Sequence, residues 1–147
     1  MFAQSVNPIL ARHFANAVVS AYLTRPAGAL IVTPGVHLMA TSPGVITADT
    51  PLADLVAVEA NFSGYATATP TFSGPGNYNL RTQVAYTNVT FTATTASPFV
   101  SNNIYGYWLD DGTNLILAEL FTNPTPLPIA KVGDFLDLSL FVPGFCY

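Results

Sequence analysis

Apolar and polar residues alternate with a period of two along most of the chain, from Ala29 onward. Short runs such as "ALIVT", "VHLMA", "NIYGYWL" and "NLILAELF" are separated by proline and glycine, which mark tight connections between strands. The final run, "LDLSLFV", is the most regular and predicts a strand whose leucines share one buried face. Roughly six to eight short strands, about a dozen residues apart, predict an all-β, antiparallel β-sandwich or jelly roll.

Three local signals refine this prediction. In "NLRTQVAYTNVTFTAT" the apolar residues change parity near Thr87 and Asn88, which predicts a β-bulge or a tight break. "DDGT" predicts a hairpin between two apolar strands, with Gly112 supplying the positive φ angle. Farther upstream, Thr50 and Pro51 have the residue types of a helix cap and a first helical residue, so a helix of little more than one turn is expected there.

The first 26 residues have a different pattern. Asn7 is suited to cap a helix whose first residue is Pro8, and four apolar residues then fall four apart on one stripe: Leu10, Phe14, Val18 and Tyr22. We therefore expect a helical arm over residues 1–26 and a β-sandwich domain over 27–147. The stripe must be buried either on a neighbouring subunit, which we favour, or across the arm's own sandwich.

Composition indicates one domain with an unusually uncharged surface. Of 147 residues, 8% are charged, whereas soluble domains average about 25%. With a net charge of −4 and four cations in all, no basic patch is available to bind nucleic acid. No run of apolar residues is long enough to predict a membrane span, and the N-terminus does not have the pattern of a signal peptide. A surface so poor in charge is better suited to an assembly than to a free monomer, so we expect a homo-oligomer.

The residues that carry chemistry form no catalytic or metal-binding motif. Cys146 is the single cysteine, which excludes an internal disulfide and any multi-cysteine zinc site. Asp110 and Asp111 precede Gly112, but the spaced oxygen ligands of a calcium loop are missing, so a turn is favoured. We expect no metal, no cofactor and no enzymatic activity.

Two glutamates and one histidine carry groups that could act in chemistry. Glu59 and Glu119 are the residue type of an acid/base couple, but nothing in the sequence brings them together. Glu119 is expected at a strand edge or facing outward, paired with an arginine. His37 lies in an apolar strand and is expected to be a satisfied or semi-exposed core histidine rather than a ligand.

The aromatic stretch "NNIYGYWLDD" has two interpretations. Alternation places Tyr105, Tyr107 and Leu109 on one face and Ile104, Gly106 and Trp108 on the other, so both faces are apolar, as in a buried central strand. The alternative is a ligand platform, for example for a glycan, which needs exposed rings beside polar neighbours. Its residues would be Asn103, Tyr105, Tyr107, Trp108 and Asp110.

Two segments of the chain resemble small virion-associated proteins of tailed bacteriophages. That group has a "LADLxEAxFxGYA" box, followed later by a "YGYxxxD" strand and an apolar partner strand with a glutamate. The matching residues are Leu52, Ala53, Asp54, Leu55, Phe62, Gly64, Tyr65 and Ala66 in the box, and Tyr105, Gly106, Tyr107, Asp110 and Glu119 in the later pair. The resemblance covers about half of the chain; it departs at residues 56–58 and excludes the C-terminal "FVPGFCY".

The resemblance implies a structural component of the phage particle, located in the capsid or tail and made in the cytoplasm of the bacterial host. We expect a capsid cement or decoration protein that contacts the major capsid protein or other virion proteins. A trimer is one candidate arrangement, although the sequence shows no symmetry. The alternative is a receptor- or glycan-binding module of a head or tail fibre. The expected subunit contacts are Leu10, Phe14, Val18, Phe141, Phe145 and Tyr147.

Overall fold

A computed structural model of the chain describes residues 9–10, 34–70, 76–78, 81–122 and 126–142. Within these residues the fold consists of nine strands and one short helix. In chain order they are β1 (Ile9–Leu10), β2 (Gly35–Met39), α1 (Leu52–Val56), β3 (Gly76–Tyr78), β4 (Arg81–Thr92), β5 (Asn102–Ile104), β6 (Gly106–Asp110), β7 (Leu115–Leu120), β8 (Leu127–Ile129) and β9 (Phe135–Val142).

The strands form three antiparallel sheets. The largest has the order β1-β7-β6-β2, the second has the order β3-β4-β9, and β5 pairs with β8 in the third. Every strand pair among them is antiparallel. The predicted all-β antiparallel sandwich is therefore confirmed.

The central core lies between the four-stranded and the three-stranded sheet. Leu136, Leu138 and Leu140 of β9 are each 3% exposed or less, whereas Ser139 is exposed, so the predicted inward face of this strand is confirmed. Full burial of one such side chain stabilises the fold by about 1.5–3 kcal/mol. The other sheet contributes Val36, Leu38, Tyr107, Leu109 and Leu117 to this core.

A second, smaller core lies on the opposite face of the four-stranded sheet, and we call it the outer core. It consists of Met39, Ile46, Leu55, Trp108, Leu115 and Ala118. Because α1 and the loop before it cover this face, β6 is buried on both sides, and all five of its residues are buried. This double coverage explains why the aromatic stretch is apolar at consecutive positions.

The helix α1 lies where the sequence predicts it, but its cap differs. Pro51 occupies the N-cap position, and no side chain caps the helix. Thr50 Oγ1 instead accepts a hydrogen bond from the Thr47 N–H at 2.8 Å, within the preceding turn. Leu55 is the buried residue of the helix and anchors it to the outer core.

The alternation expected through residues 104–109 is interrupted at Tyr105. Ile104 packs in the central core together with Tyr107, whereas Tyr105 packs against the outer core. The reason is a change of sheet, because β5 pairs with β8 while β6 pairs with β2 and β7. At the change, the Tyr105 N–H donates to the Met39 carbonyl and its carbonyl accepts from the Phe121 N–H. The prediction that Tyr105 and Tyr107 share one face was wrong.

Two predicted irregularities are present. The β4–β9 register shifts between Val84 and Tyr86, slightly before the predicted break near residues 87–88. A turn joins β6 to β7, and Gly112 has a φ of +87°, as expected for this hairpin. Each feature follows from a local sequence signal, and each lies close to its predicted position.

The start of the predicted N-terminal helix is a strand. Ile9 and Leu10 form β1 and pair with Ala118 and Leu117 at the edge of β7. Pairing satisfies N–H and C=O groups that would otherwise be unpaired at a sheet edge, and this tertiary gain overrides the local helical pattern. The expected contact residues Phe14, Val18, Phe145 and Tyr147 lie outside the described residues. Phe141 contributes its backbone to β9.

Candidate functional site

A polar cluster lies on the outer face of β2, and we call His37, Glu59, Tyr65, Trp108 and Asp110 the His37 network. His37 lies opposite Trp108 in the β2–β6 register. Their rings stack with centroids 4.7 Å apart and planes 5° from parallel. The indole N–H of Trp108 donates to Asp110 Oδ2 at 3.0 Å, so the tryptophan is both buried and hydrogen-bonded.

The two ring nitrogens of His37 each face a carboxylate. Nδ1 lies 2.7 Å from Glu59 Oε1, and Nε2 lies 3.0 Å from Asp110 Oδ2. Each ring nitrogen therefore lies within hydrogen-bond distance of a carboxylate oxygen, while the face of the ring stacks on the Trp108 indole.

Tyr65 connects this cluster to the backbone of β2. Its hydroxyl donates to Glu59 Oε1 at 2.8 Å and accepts from the Leu38 N–H at 3.1 Å. Burial raises the pKa of the Tyr65 hydroxyl well above its ordinary value, the Leu38 hydrogen bond partly opposes the rise, and the carboxylates of Glu59 and Asp110 add to it. The hydroxyl therefore stays protonated and keeps both bonds.

The His37 network fastens residues 58–68, which we call the cover segment, along the outer edge of β2. Val36 exchanges two backbone hydrogen bonds with Ala68, and the Leu38 carbonyl accepts from the Ala60 N–H. The Ala40 N–H donates to the backbone carbonyl of Val58. Between these contacts, the Leu38 N–H also points toward the cover segment and donates to the Tyr65 hydroxyl. The edge of β2 is thus closed to pairing with another strand.

Both ring nitrogens of His37 are engaged within the network. Thr67 Oγ1 lies 3.3 Å from His37 Nδ1, but the same nitrogen contacts Glu59 Oε1 at the shorter 2.7 Å. A general base needs a free lone pair to take a proton from a hydroxyl nucleophile, and both nitrogens of His37 already face carboxylates. Among residues that the structure describes, no group of three or more His, Cys, Asp or Glu could hold a metal ion.

Glu119 is buried in the central core, so the expectation of an outward-facing carboxylate was wrong; the expected pairing with an arginine stays a prediction, because the arginine side chains lie outside the described residues. It is 2% exposed and lies opposite Tyr107, whose hydroxyl donates to Glu119 Oε2 at 2.7 Å. Within the described residues, the other oxygen, Oε1, has no hydrogen-bond partner. Glu59 lies on the opposite face of the four-stranded sheet, beside His37, so the two glutamates form no acid/base couple.

The aromatic stretch does not present three exposed rings. Trp108 is fully buried, Tyr107 is 4% exposed, and Tyr105 is partly buried against the outer core. Asp110 is also buried, where it accepts from Trp108 and from the Gly112 N–H, and Asn103 is exposed. Of the two interpretations of this stretch, the structure therefore supports the buried central strand. The residues expected for a ligand platform do not form one exposed surface.

One end of the sandwich exposes apolar side chains. Backbone hydrogen bonds join three loops there, over residues 61–64, 93–101 and 130–134. These loops and the first residue of β9 carry large apolar side chains in contact with solvent. We call the three of them the end surface: Val100 (42% exposed), Val132 (52%) and Phe135 (45%).

Comparison of the chain with protein-family models, with curated proteins and with solved structures finds no significant match. In the described part of the chain, the one helix is far too short to cross a membrane.

Proposed function

We propose that this chain is a structural component of a bacteriophage particle, and specifically a cement or decoration protein that binds the assembled shell through its end surface. The observation that carries the proposal is the exposure of Val100 and Val132 on loops that backbone hydrogen bonds join, and of Phe135 at the adjoining start of β9. Each of these side chains is about half exposed, so covering one contributes on the order of 1 kcal/mol to binding.

One charged group beside the end surface, Asp134, has its hydrogen-bond partners within its own turn. Asp134 accepts hydrogen bonds from the backbone N–H groups of Ala130 and Lys131, at 2.8 and 3.0 Å, so its carboxylate already has partners within the turn. These bonds, that to Ala130 foremost, also hold the pKa of Asp134 below its usual value. The Asp134 carboxylate therefore keeps these hydrogen-bond partners when a partner covers the apolar side chains beside it.

The residues that carry the phage resemblance hold the fold together. Leu55 of the box anchors α1, and Tyr65 closes the edge of β2. Gly106 allows a close approach of β7, because a Cβ at this position would collide with the Glu119 carbonyl. Such positions preserve a scaffold, as the structural motif of a particle component would.

Binding to the shell stabilises it by mass action. A protein that binds only the assembled state adds about 2.7 kcal/mol per site when its free concentration is a hundred times the dissociation constant. Many copies around one shell then raise the temperature at which the shell ruptures.

The experiment compares heads of the encoding phage that lack the chain with the same heads after the purified chain is added. We expect the chain to bind and to raise the rupture temperature. Val132→Asp should abolish both effects, whereas the matched control Val45→Asp, at an exposed position (88%) away from the end surface, should preserve them. Heads that do not bind the chain, or that rupture at an unchanged temperature, would contradict the proposal.

A further inference from the structure

The strand β9 lies at an edge of the three-stranded sheet. In the described part of the chain, β4 is the strand that pairs with it, through residues 135–142. The other long side of β9 faces away from β4. This situation contrasts with β2, whose outer edge is closed by the cover segment.

The direction of the backbone groups along β9 follows from one hydrogen bond at its start. The Ala93 N–H donates to the Asp134 carbonyl at 2.8 Å, so the carbonyl of residue 134 points toward β4, while its N–H donates to the Lys131 carbonyl within the turn. In an antiparallel pair this direction alternates from one residue to the next. The N–H and C=O groups that point away from β4 therefore belong to Phe135, Asp137, Ser139 and Phe141.

The sequence of β9 offers little protection of this edge. Free edges are usually blunted by charged side chains, above all lysine, by proline, by a bulge or by a charge that points inward. The segment "FLDLSLFV" contains neither lysine nor proline, and its one charge, Asp137, accepts a hydrogen bond from Thr90 on the adjacent strand. The register shift with β4 skips a residue of β4 and leaves β9 continuous.

We propose that β9 pairs antiparallel with β9 of a second copy of the chain, about a twofold axis at Leu138. This register places Asp137 opposite Ser139 of the second copy and Phe135 opposite Phe141, so all the outward backbone groups find partners. An axis at Asp137 would set two carboxylates opposite each other, and an axis at Ser139 would leave Phe135 without a partner. Charge and length thus select the axis at Leu138.

The pairing joins two three-stranded sheets into one continuous sheet across the axis. A sheet of this size lies in the common range, whereas a three-stranded sheet with an open edge is a site of further pairing. The resulting twofold dimer differs from the trimer considered on the sequence. It does not depend on binding to a phage shell, so failure of either proposal leaves the other standing.

The test introduces charge at Ser139 and measures the dimer dissociation constant of the full chain by sedimentation equilibrium. Ser139→Asp creates two like-charge pairs with Asp137 per dimer and should raise the dissociation constant about 2- to 30-fold. Ser139→Lys creates two opposite-charge pairs and should leave the dimer as tight or tighter. The matched control is Asn88→Asp, an exposed position on β4 that lies opposite Ser139 but away from the edge; it should change the constant less than about twofold.

Amide hydrogen exchange provides a second readout that does not rely on a variant. The N–H groups of Asp137 and Ser139 should exchange slowly in the dimer and become fast on dilution. A chain that is monomeric at every concentration would overturn the proposal, and so would a dimer that responds equally to all three substitutions. Slow exchange of these amides in a monomer would show that another part of the same chain covers the edge, which also contradicts it.

Discussion

Removing the Tyr65 hydroxyl should loosen the cover segment without changing its packing. In Tyr65→Phe the ring keeps its contacts with Phe62 and Phe91, at centroid distances of 5.3 and 5.9 Å, but both hydrogen bonds of the hydroxyl are lost. The more costly loss is at Leu38, which is fully buried, because its N–H then has no partner.

The size of the effect follows from these two bonds. An unsatisfied buried N–H costs about 1–3 kcal/mol, and loss of the bond to the Glu59 carboxylate adds about 1 kcal/mol at this partly exposed position. We therefore expect Tyr65→Phe to lower the free energy of unfolding by about 2–4 kcal/mol. In a domain of this size, that change lowers the melting temperature by roughly 5–15 °C.

The assay is denaturant unfolding followed by circular dichroism and by the fluorescence of Trp108, which is buried in the native state. Tyr105→Phe is the matched control, because this tyrosine packs against the outer core and takes no part in the His37 network; its effect should stay within about 0.5 kcal/mol. The amide of Leu38 should also exchange faster in Tyr65→Phe. A variant as stable as the wild type, with the Leu38 amide still protected, would refute the role given to this hydroxyl.

Three further predictions test other parts of the fold. The pKa of Tyr65 is raised in the folded state, so the stability that its protonated hydroxyl contributes is complete below the ordinary pKa of 10.0 and is lost as the pH rises above it. The free energy of unfolding should therefore fall as the pH rises above 10.0, and should fall less steeply in Tyr65→Phe. The pKa of Asp134 is lowered in the folded state, so the stability that its carboxylate contributes is present above the ordinary value of 3.8 and is lost as the pH falls below it. The melting temperature of Asp134→Asn should therefore fall less in acid than that of the wild type. Gly106→Ala should cost at least about 2 kcal/mol in denaturant unfolding, since its Cβ would meet the backbone of β7, and an unchanged midpoint would contradict the close approach.

Local patterns in the sequence predicted the strands that belong to a single sheet and bury one face. The leucines of β9 could be placed because a strand with one buried face shows a period of two, and a one-residue slip would expose all of them. The hairpin at Gly112 could be placed because few residues adopt a positive φ. By contrast, β1 is two residues long, and its pairing with β7 leaves no periodic signal.

The sequence contains a signal for the burial of Glu119. Glu119 has the same parity as Leu117 and Phe121, and both of these are buried in the central core, so alternation alone placed the carboxylate inward. The role of Tyr65 could not be predicted in this way. It depends on the cover segment folding back on β2, and a contact between Tyr65 and Leu38 spans 27 residues.

The most direct measurement is residue-resolved amide hydrogen exchange on the full chain at two concentrations. We predict that Val36, Leu38 and Ala40, whose N–H groups the cover segment satisfies, exchange slowly at both concentrations. Asp137 and Ser139 should exchange slowly at the higher concentration and fast at the lower. Fast exchange along β2 at either concentration would contradict its closed edge, and concentration-independent exchange along β9 would contradict an edge that pairs with a second copy.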